Sequence, residues 1–376
     1  MVISVCVILG FKSEIQQKMT GIGAHIEVLD MKSLASPEDF PITAPTAFVQ
    51  AVARTQGVSR ADRVAYKIGI IKTNDDFADI TLKGLEANYD TAFLASCLKA
   101  GRLPLLDGTA ETSEVAISQS VADDMHLKVG DKVFAYFFEQ TIKMRRFTIT
   151  GIYETHMKMY DEVLAFTDFE TVARLNAWEQ EQCSEVEIRV EDNDRIGTVS
   201  RQIAALNQQY PEPTGGATKA LLTIDQHYPQ IFSWLELLDF NMVVILLLMV
   251  LVGGFTMVSG LLILILERTA TIGLLKAIGM TNRNVRHVFL YFAAMIVGRA
   301  LLIGNLFAFA LLWAQRQWGL IHLDATTYYV DTVPVVFDPL AILAINVGAL
   351  VLTLLALVAP SFMVSRIDPA QAIRYE

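Results

Sequence analysis

Apolar residues are spread unevenly along this chain. Over residues 20–230 they alternate with polar ones in short runs, whereas 240–266, 288–312 and 339–364 are almost free of charge. Each of these three runs reaches the roughly 20 apolar residues that a helix needs to cross a bilayer core. Three of them crowded toward the C-terminal end leave too little soluble chain to hide them as core helices, so the pattern predicts three transmembrane helices. A fourth apolar run, "MVISVCVILGF", opens the chain. It is too short to span, and it lacks the basic start and small-residue cleavage site of a secretory signal. It reads as the outer end of a first transmembrane helix whose beginning is absent, the alternative being a helix on the membrane surface. "GFKSEIQQKM" then continues with Phe11, Ile15 and Met19 at intervals of four, an amphipathic stalk leaving the bilayer.

The region between is patterned differently. "AHIEVLD" alternates as a strand, "TAFVQAVART" has helical spacing, and "VSRADRVAYKIGIIKT" is a β-rich run. Later, "SEVEIRVED" predicts a strand, "RIGTVSRQIAALNQQY" a helix with Ile196, Val199, Ile203 and Leu206 on one face, and "KALLTI" another strand. One strand–helix–strand unit at each end implies a split α/β sandwich. Between them, at about 84–184, "EVAIS", "KVFAYFF", "IKMRRFTITGIYE" and "DEVLAFT" predict a β-rich insertion, with "VGD" as a turn.

Charge orients these pieces. The segment after the first long run carries Arg268, Lys276, Arg283 and Arg286, and the tail carries Arg366 and Arg374, while 313–338 offers only Arg316. Lys and Arg mark the cytoplasmic side. Residues 267–287 and the tail 365–376 are therefore expected inside, and 21–226 outside. The predicted division is 1–20 helix end and stalk, 21–226 outer domain, 227–266 stalk and second helix, 267–287 cytoplasmic loop, 288–312 third helix, 313–338 outer loop, 339–364 fourth helix and 365–376 tail. The composition, 53% apolar with a mean hydropathy of +0.41, agrees with a membrane protein. The net charge of −10, without a basic stripe, speaks against nucleic acid as a partner.

Candidate chemistry is sparse. None of His25, His126, His156, His227, His287 and His322 is paired at i, i+3 or i+4, so no zinc site is supported. There is no phosphate-binding G-x-x-x-x-G-K-[ST] loop and no G-x-S-x-G elbow. "TGGAT" at 214 reads as a turn, and the acidic pairs in "TNDD" and "VADD" read as solvated loop and cap. Cys97 and Cys183 are 86 residues apart, and their spacing leaves pairing undecided. Arg299 lies near the middle of the 288–312 run, where a cation costs at least about 2.5 kcal/mol and calls for a partner or a wet environment. Asn305 is poorly spaced to serve it, and snorkelling to lipid phosphate is the other outlet.

Two stretches carry a resemblance. "ERTATIGLLKAIGMTNRNVRHVFL" resembles the loop after the second transmembrane helix of FtsX-like permeases, the membrane subunits of mechanotransmitting ABC systems. "GFKSEIQQKMTGIGAHIEV" is similar to the start of the outer domain in the lipoprotein-releasing branch, the LolC/LolE type. The resemblance covers essentially the whole chain. It implies a four-helix membrane protein, its first helix incomplete here, with a large extracytoplasmic α+β domain, in the bacterial inner membrane. It also implies a non-catalytic permease subunit with no cofactor of its own, ATP and Mg being bound by a cytosolic ABC ATPase dimer. The other implied partners are a second permease subunit, in a homodimer or heterodimer, lipoprotein cargo with a periplasmic carrier, and membrane lipid.

In such a permease the loop is a coupling helix seated on the ATPase. Ile272, Leu275 and Ile278 would supply its apolar stripe, Arg268 and Lys276 its rim, and Gly279 its tight end. Ala270 and Thr271 stand where many relatives carry an acidic residue. A surface helix attracted to anionic lipid is the plainer reading of the same residues. Val243, Leu247, Val250 and Phe255 would line a cargo entry beside the second helix, although ordinary lipid-facing packing explains each singly. Two other readings stay open: an FtsX-like exporter or envelope-signalling subunit acting on another periplasmic partner, and a membrane-anchored enzyme.

Overall fold

The computed structural model describes residues 1–36, 40–73, 76–108, 112–138, 142–211 and 218–361. The "TGGAT" turn (Thr218 apart), half of "TNDD" and the tail with Arg366 and Arg374 lie outside them. In chain order the outer half contains α1 (Val2–Ile22), β1 (Ile26–Asp30), β2 (Ile42–Thr43), α2 (Thr46–Ala53), β3 (Val58–Lys72), β4 (Phe77–Leu85), α3 (Ala92–Ser96) and β5 (Leu98–Gly101). It continues with β6 (Glu114–Ser118), α4 (Gln119–Asp124), β7 (Lys132–Phe138), β8 (Ile142–Tyr153), α5 (Lys158–Asp161), β9 (Leu164–Asp168), α6 (Phe169–Leu175) and β10 (Gln182–Cys183). Then come β11 (Glu185–Val190), α7 (Ile196–Asn207), β12 (Lys219–Thr223), α8 (Ile224–His227), α9 (Pro229–Glu267), α10 (Thr269–Ala277), α11 (Asn282–Trp318), α12 (Ala325–Tyr328) and α13 (Pro339–Ser361). Two compact units result. Ile15–Phe232 with Asp324–Asp331 forms one, and Met1–Glu14 with Ser233–Leu323 and the described residues from Thr332 onward forms the other.

In the Ile15–Phe232 unit the strand order begins β12-β1-β11-β3. Each neighbouring pair is antiparallel, so β1 runs parallel to β3 across β11, and β11 parallel to β12 across β1. This interleaving is the split sandwich read from the pattern. Its apolar core joins Ile26, Val28, Val186 and Ile188 of the sheet to Phe48 and Val52 of α2 and to Val199 and Ile203 of α7. Ile196 and Leu206 of the predicted helix face pack at the edge of that core.

The β-rich insertion is not a lobe apart. β3 pairs with β4, β4 with β9, β9 with β6, β6 with β8, β8 with β7, and β7 returns to β3. That closed ring of six strands leaves no edge within it, and Ile71, Ile80, Val115, Ile117, Val133, Phe137, Phe147 and Ile149 belong to its buried core. β3 is long enough to serve sandwich and ring together. The predicted start near residue 84 therefore moves back to β4, and β3 is shared.

In the other unit α9, α11 and α13 are each long and apolar enough to cross a membrane. α9 begins at Pro229, a residue suited to a first helical turn because its missing N–H is one the helix cannot pair, so predicted stalk and span are one helix. α1 packs through Val2 and Cys6 against Ala308 and Leu312 of α11. Gly10 lets the chain at Pro334 approach α1, since a Cβ there would lie 2.5 Å from the Pro334 carbonyl oxygen. Lys12 of α1 pairs with Asp239 of α9 at 2.6 Å.

Candidate functional site

α10 follows α9 after a single residue and ends in a left-handed turn. Gly279 has φ +100°, a region open to glycine because it lacks a Cβ. The Met280 N–H donates to the Leu275 carbonyl, and the Gly279 N–H to that of Lys276, both at 3.0 Å, the paired hydrogen bonds of a Schellman cap. Thr281 then caps α11 by accepting from the Asn284 N–H. Two helices are thus joined by a turn too short to wander.

The predicted stripe divides across this element. Ile272 is fully buried with Leu261, Ile265, Val285, Ala293 and Leu357, inside the core that the long apolar helices share. Leu275 is half-buried, while Ile278 is 77% and Leu274 55% exposed. The apolar surface that α10 offers outward is therefore Leu274 with Ile278, and Ile272 holds the helix down. Arg268 precedes the first turn and Lys276 lies in the last one, with Gly279 closing the end. Along α9, Val243, Leu247 and Phe255 are exposed and Val250 is half-buried. Arg299 sits on an exposed face of α11. Asn305 instead donates to the Asn346 side chain of α13 at 2.7 Å, an amide pair between two spans.

The second cluster was invisible to residue spacing. On the sheet face opposite the apolar core, Glu27 of β1 stands beside Glu187 of β11, which stands beside Asp62 of β3. Glu185 and Lys83 share that face, and Glu27, Glu185, Glu187 and Lys83 are all buried. Lys83 Nζ lies 2.5 Å from a Glu187 oxygen and 2.5 Å from the Ile22 carbonyl at the end of α1. The Tyr89 hydroxyl donates to the other Glu187 oxygen at 2.6 Å, and Tyr66 donates to Glu185 at 3.1 Å. Arg189 reaches Asp90 at 3.0 Å and the Tyr89 hydroxyl at 3.2 Å. His227 Nδ1 meets Glu27, and its ring stacks on Tyr228 at 4.4 Å.

Burial, followed by the charges of Glu27 and Glu187, pushes the Glu185 carboxyl well above the ordinary range. Burial opposes charge on His227, but the hydrogen bond and charge of Glu27 outweigh it and raise the imidazole above its usual value. Burial is also the first cause holding the Tyr66, Tyr89 and Tyr228 hydroxyls well above theirs. Cys97 and Cys183 are free thiols, Cys183 being buried in the apolar core. Among the described residues no group of three or more His, Cys, Asp or Glu is placed to hold a metal ion.

Residues 1–206 match the family described as the MacB-like periplasmic core domain, and residues 243–369 match the FtsX-like permease C-terminal family. The chain belongs to the FtsX-like permeases with a MacB-like core. It is similar to the lipoprotein-releasing system transmembrane protein LolC of Xylella fastidiosa (strain 9a5c), 23% identical, the match covering 100% of this chain and 90% of the relative. It is also similar to LolE of the same system in Haemophilus influenzae, 20% identical over 97% of this chain and 88% of the relative. Among solved structures, the periplasmic region of MacB from Actinobacillus actinomycetemcomitans aligns with 57% of this chain and 95% of its own, with a TM-score of 0.40 and 13% identity. The three apolar helices and this family membership make the permease an inner-membrane protein with a periplasmic domain, of the ABC-transporter class.

Proposed function

We propose that this permease is the membrane subunit of a mechanotransmitting ABC transporter that releases lipoproteins from the inner membrane toward a periplasmic carrier. The observation that carries the reading is the LolC match, which runs through the outer domain and the spans alike rather than through one of them. Power would come from a separate cytosolic ATPase. Leu274 and Ile278 of the α10 segment, beside Lys276, offer a small apolar surface with a basic rim, the chemistry of a helix seated in a partner's groove. Ile272 ties that segment to the spans, so a push on α10 is delivered to α9 and α11. α9 then runs unbroken for 39 residues, about 58 Å at the helical rise, long enough to carry displacement from one membrane face to beyond the other. The exposed Val243, Leu247 and Phe255, with Val250, would meet acyl chains along α9, and a second permease subunit would complete the cavity.

The experiment is purification of the permease from native membrane in mild detergent, followed by mass spectrometry of bound acylated proteins, and then ATP-dependent release from proteoliposomes containing the co-purified ATPase. Recovery of lipoproteins that leave only with ATP supports the reading. A preparation that holds its ATPase but carries and releases no acylated protein overturns it. The match of residues 1–206 to a MacB-like core favours one second reading, an exporter working with a different periplasmic partner. A periplasmic adaptor recovered in place of lipoproteins is its mark.

A further inference from the structure

The buried charged layer lies where both membrane-proximal helices enter the sheet. β1 and β12 are antiparallel neighbours, with Ile26 opposite Thr223. α1 feeds the start of β1 and α8 follows the end of β12, so both connections leave from one end of the sheet. The last carbonyls of any helix lack partners within it and favour a cation nearby. At the end of α1, Lys83 takes the Ile22 carbonyl at 2.5 Å and Arg189 approaches that of Gly21 at 3.4 Å. Ile15, Met19 and Ile22 are all buried along the same helix. At the other connection His227, the last residue of α8 and two positions before α9, holds Glu27.

We propose that this layer is the joint fixing the outer ends of α1 and α9 to the sheet, with Lys83 and Glu187 the positioning residues for the first and Glu27 with His227 those for the second.

Burial of so many charges argues against a purely stabilising purpose. A buried ion pair replaced by apolar side chains of similar size commonly leaves a fold as stable or more so, whereas loss of one partner strands the other. What the charges add is direction, because each hydrogen bond admits only a narrow angle and distance. Lys83 is held between the rings of Tyr66 and Tyr89 at 5.8 and 5.9 Å, so its ammonium has one place to be.

The joint is also proton-sensitive. The groups facing His227 and Glu27 are Glu185, Glu187 and Arg189 of β11, Lys83 of β4, Tyr66 and Asp62 of β3, Tyr89, Tyr160 of α5, Tyr228 and, at the start of β1, His25. The His227 imidazole lies above its ordinary 6.5, so its contribution is whole below that pH and is lost as pH rises through the folded value. The raised Glu185 has the same sign, favouring the fold while neutral. His25 is lowered, by burial first, and so weakens the fold only as pH falls below 6.5. Loosening as pH rises therefore comes from Glu185 above its ordinary 4.5 and from His227 above its ordinary 6.5.

The test is hydrogen–deuterium exchange on the full-length permease, alone and with its ATPase, comparing wild type with Lys83→Met, Glu27→Gln and His227→Gln. Lys83→Met is expected to speed exchange about tenfold or more at 19–27, and Glu27→Gln to do so at 224–230, with peptides over β6 and β8 unchanged. In wild type, exchange at 224–230, corrected for its intrinsic rate, should rise as pH climbs above the ordinary imidazole value of 6.5, and His227→Gln should flatten that rise. Should Lys83→Met unfold the domain throughout, Glu27→Gln and the pH profile decide. Unchanged exchange at 224–230 in Glu27→Gln, or an unaltered pH profile in His227→Gln, overturns the joint. The coupling arm rests on the transporter reading: release per ATP hydrolysed should fall at least about fivefold in Glu27→Gln while ATP hydrolysis persists. Unchanged release from loosened connections overturns the positioning role. If wild type releases no lipoprotein, the transporter reading fails and the exchange arms still judge the joint.

Discussion

Ile272 and Ile278 show how far single positions can be read from spacing. Residues six apart on a helix of 3.6 residues per turn lie about 120° apart around the axis, so the i, i+3, i+6 set does not make one stripe. The structure splits it accordingly: Ile272 is sealed among Leu261, Ile265 and Leu357, and Ile278 stands 77% exposed just beyond the helix. Gly279 was legible, because a chain that must reverse at once into a new helix needs a left-handed residue, and its φ of +100° meets that need. Opposite outcomes follow for one chemical change. Ile272→Asp removes a buried contact worth about 1.5–3 kcal/mol and leaves a carboxylate without water, so the amount of folded permease in the membrane should drop sharply. Ile278→Asp should leave that amount unchanged and, under the proposed transporter function, lose the ATPase from the purified complex. Equal membrane abundance of the two variants, by quantitative immunoblot, would show that Ile272 carries no packing role.

At the scale of whole elements, period and length revealed each long helix and most strands, because one apolar face suffices to mark them. The contents of the opposite face were not legible. In β1 and β11, Glu27, Glu185 and Glu187 alternate with Ile and Val, which reads as a strand with one wet side. Here that side is covered by the end of α1, by Tyr89 and by α8, elements far apart in the chain that no local window connects. β3 was similarly opaque: its two roles, in the sandwich and in the closed ring, leave one alternating pattern. Nor could spacing find Asn346 for Asn305, since the amide pair joins α11 to α13 across 41 residues. Polar bonds between spans are worth about 0.6 kcal/mol on average and up to about 2. Asn305→Leu or Asn346→Leu alone should lower the unfolding free energy in bilayer by about that amount, with the double variant costing less than the two singles together. Strict additivity in the double-mutant cycle would dissolve the pair.

For the molecule as a whole, the boundary that matters is where the outer domain stops needing the helices. Composition put it at residues 21–226, where charge returns to the chain, and the compact unit is wider, running from Ile15 to Phe232. The difference has a physical cause. Ile15, Met19 and Ile22 are among the most deeply buried side chains in the protein, and they lie on the helix that covers the charged face of the sheet. A fragment of residues 22–226 would lose Ile15 and Met19, uncover Lys83 and Glu187, and remove the His227 partner of Glu27. Full burial of an apolar side chain of this size contributes about 1.5–3 kcal/mol, and a small domain has only about 5–15 kcal/mol in all. Residues 15–232 expressed alone should therefore melt cooperatively, and residues 22–226 should melt lower by about 5 °C or more. Differential scanning calorimetry of the two fragments measures the difference. Equal melting temperatures would mean that the sheet closes without its helix ends, and that the charged layer is a surface rather than an anchorage.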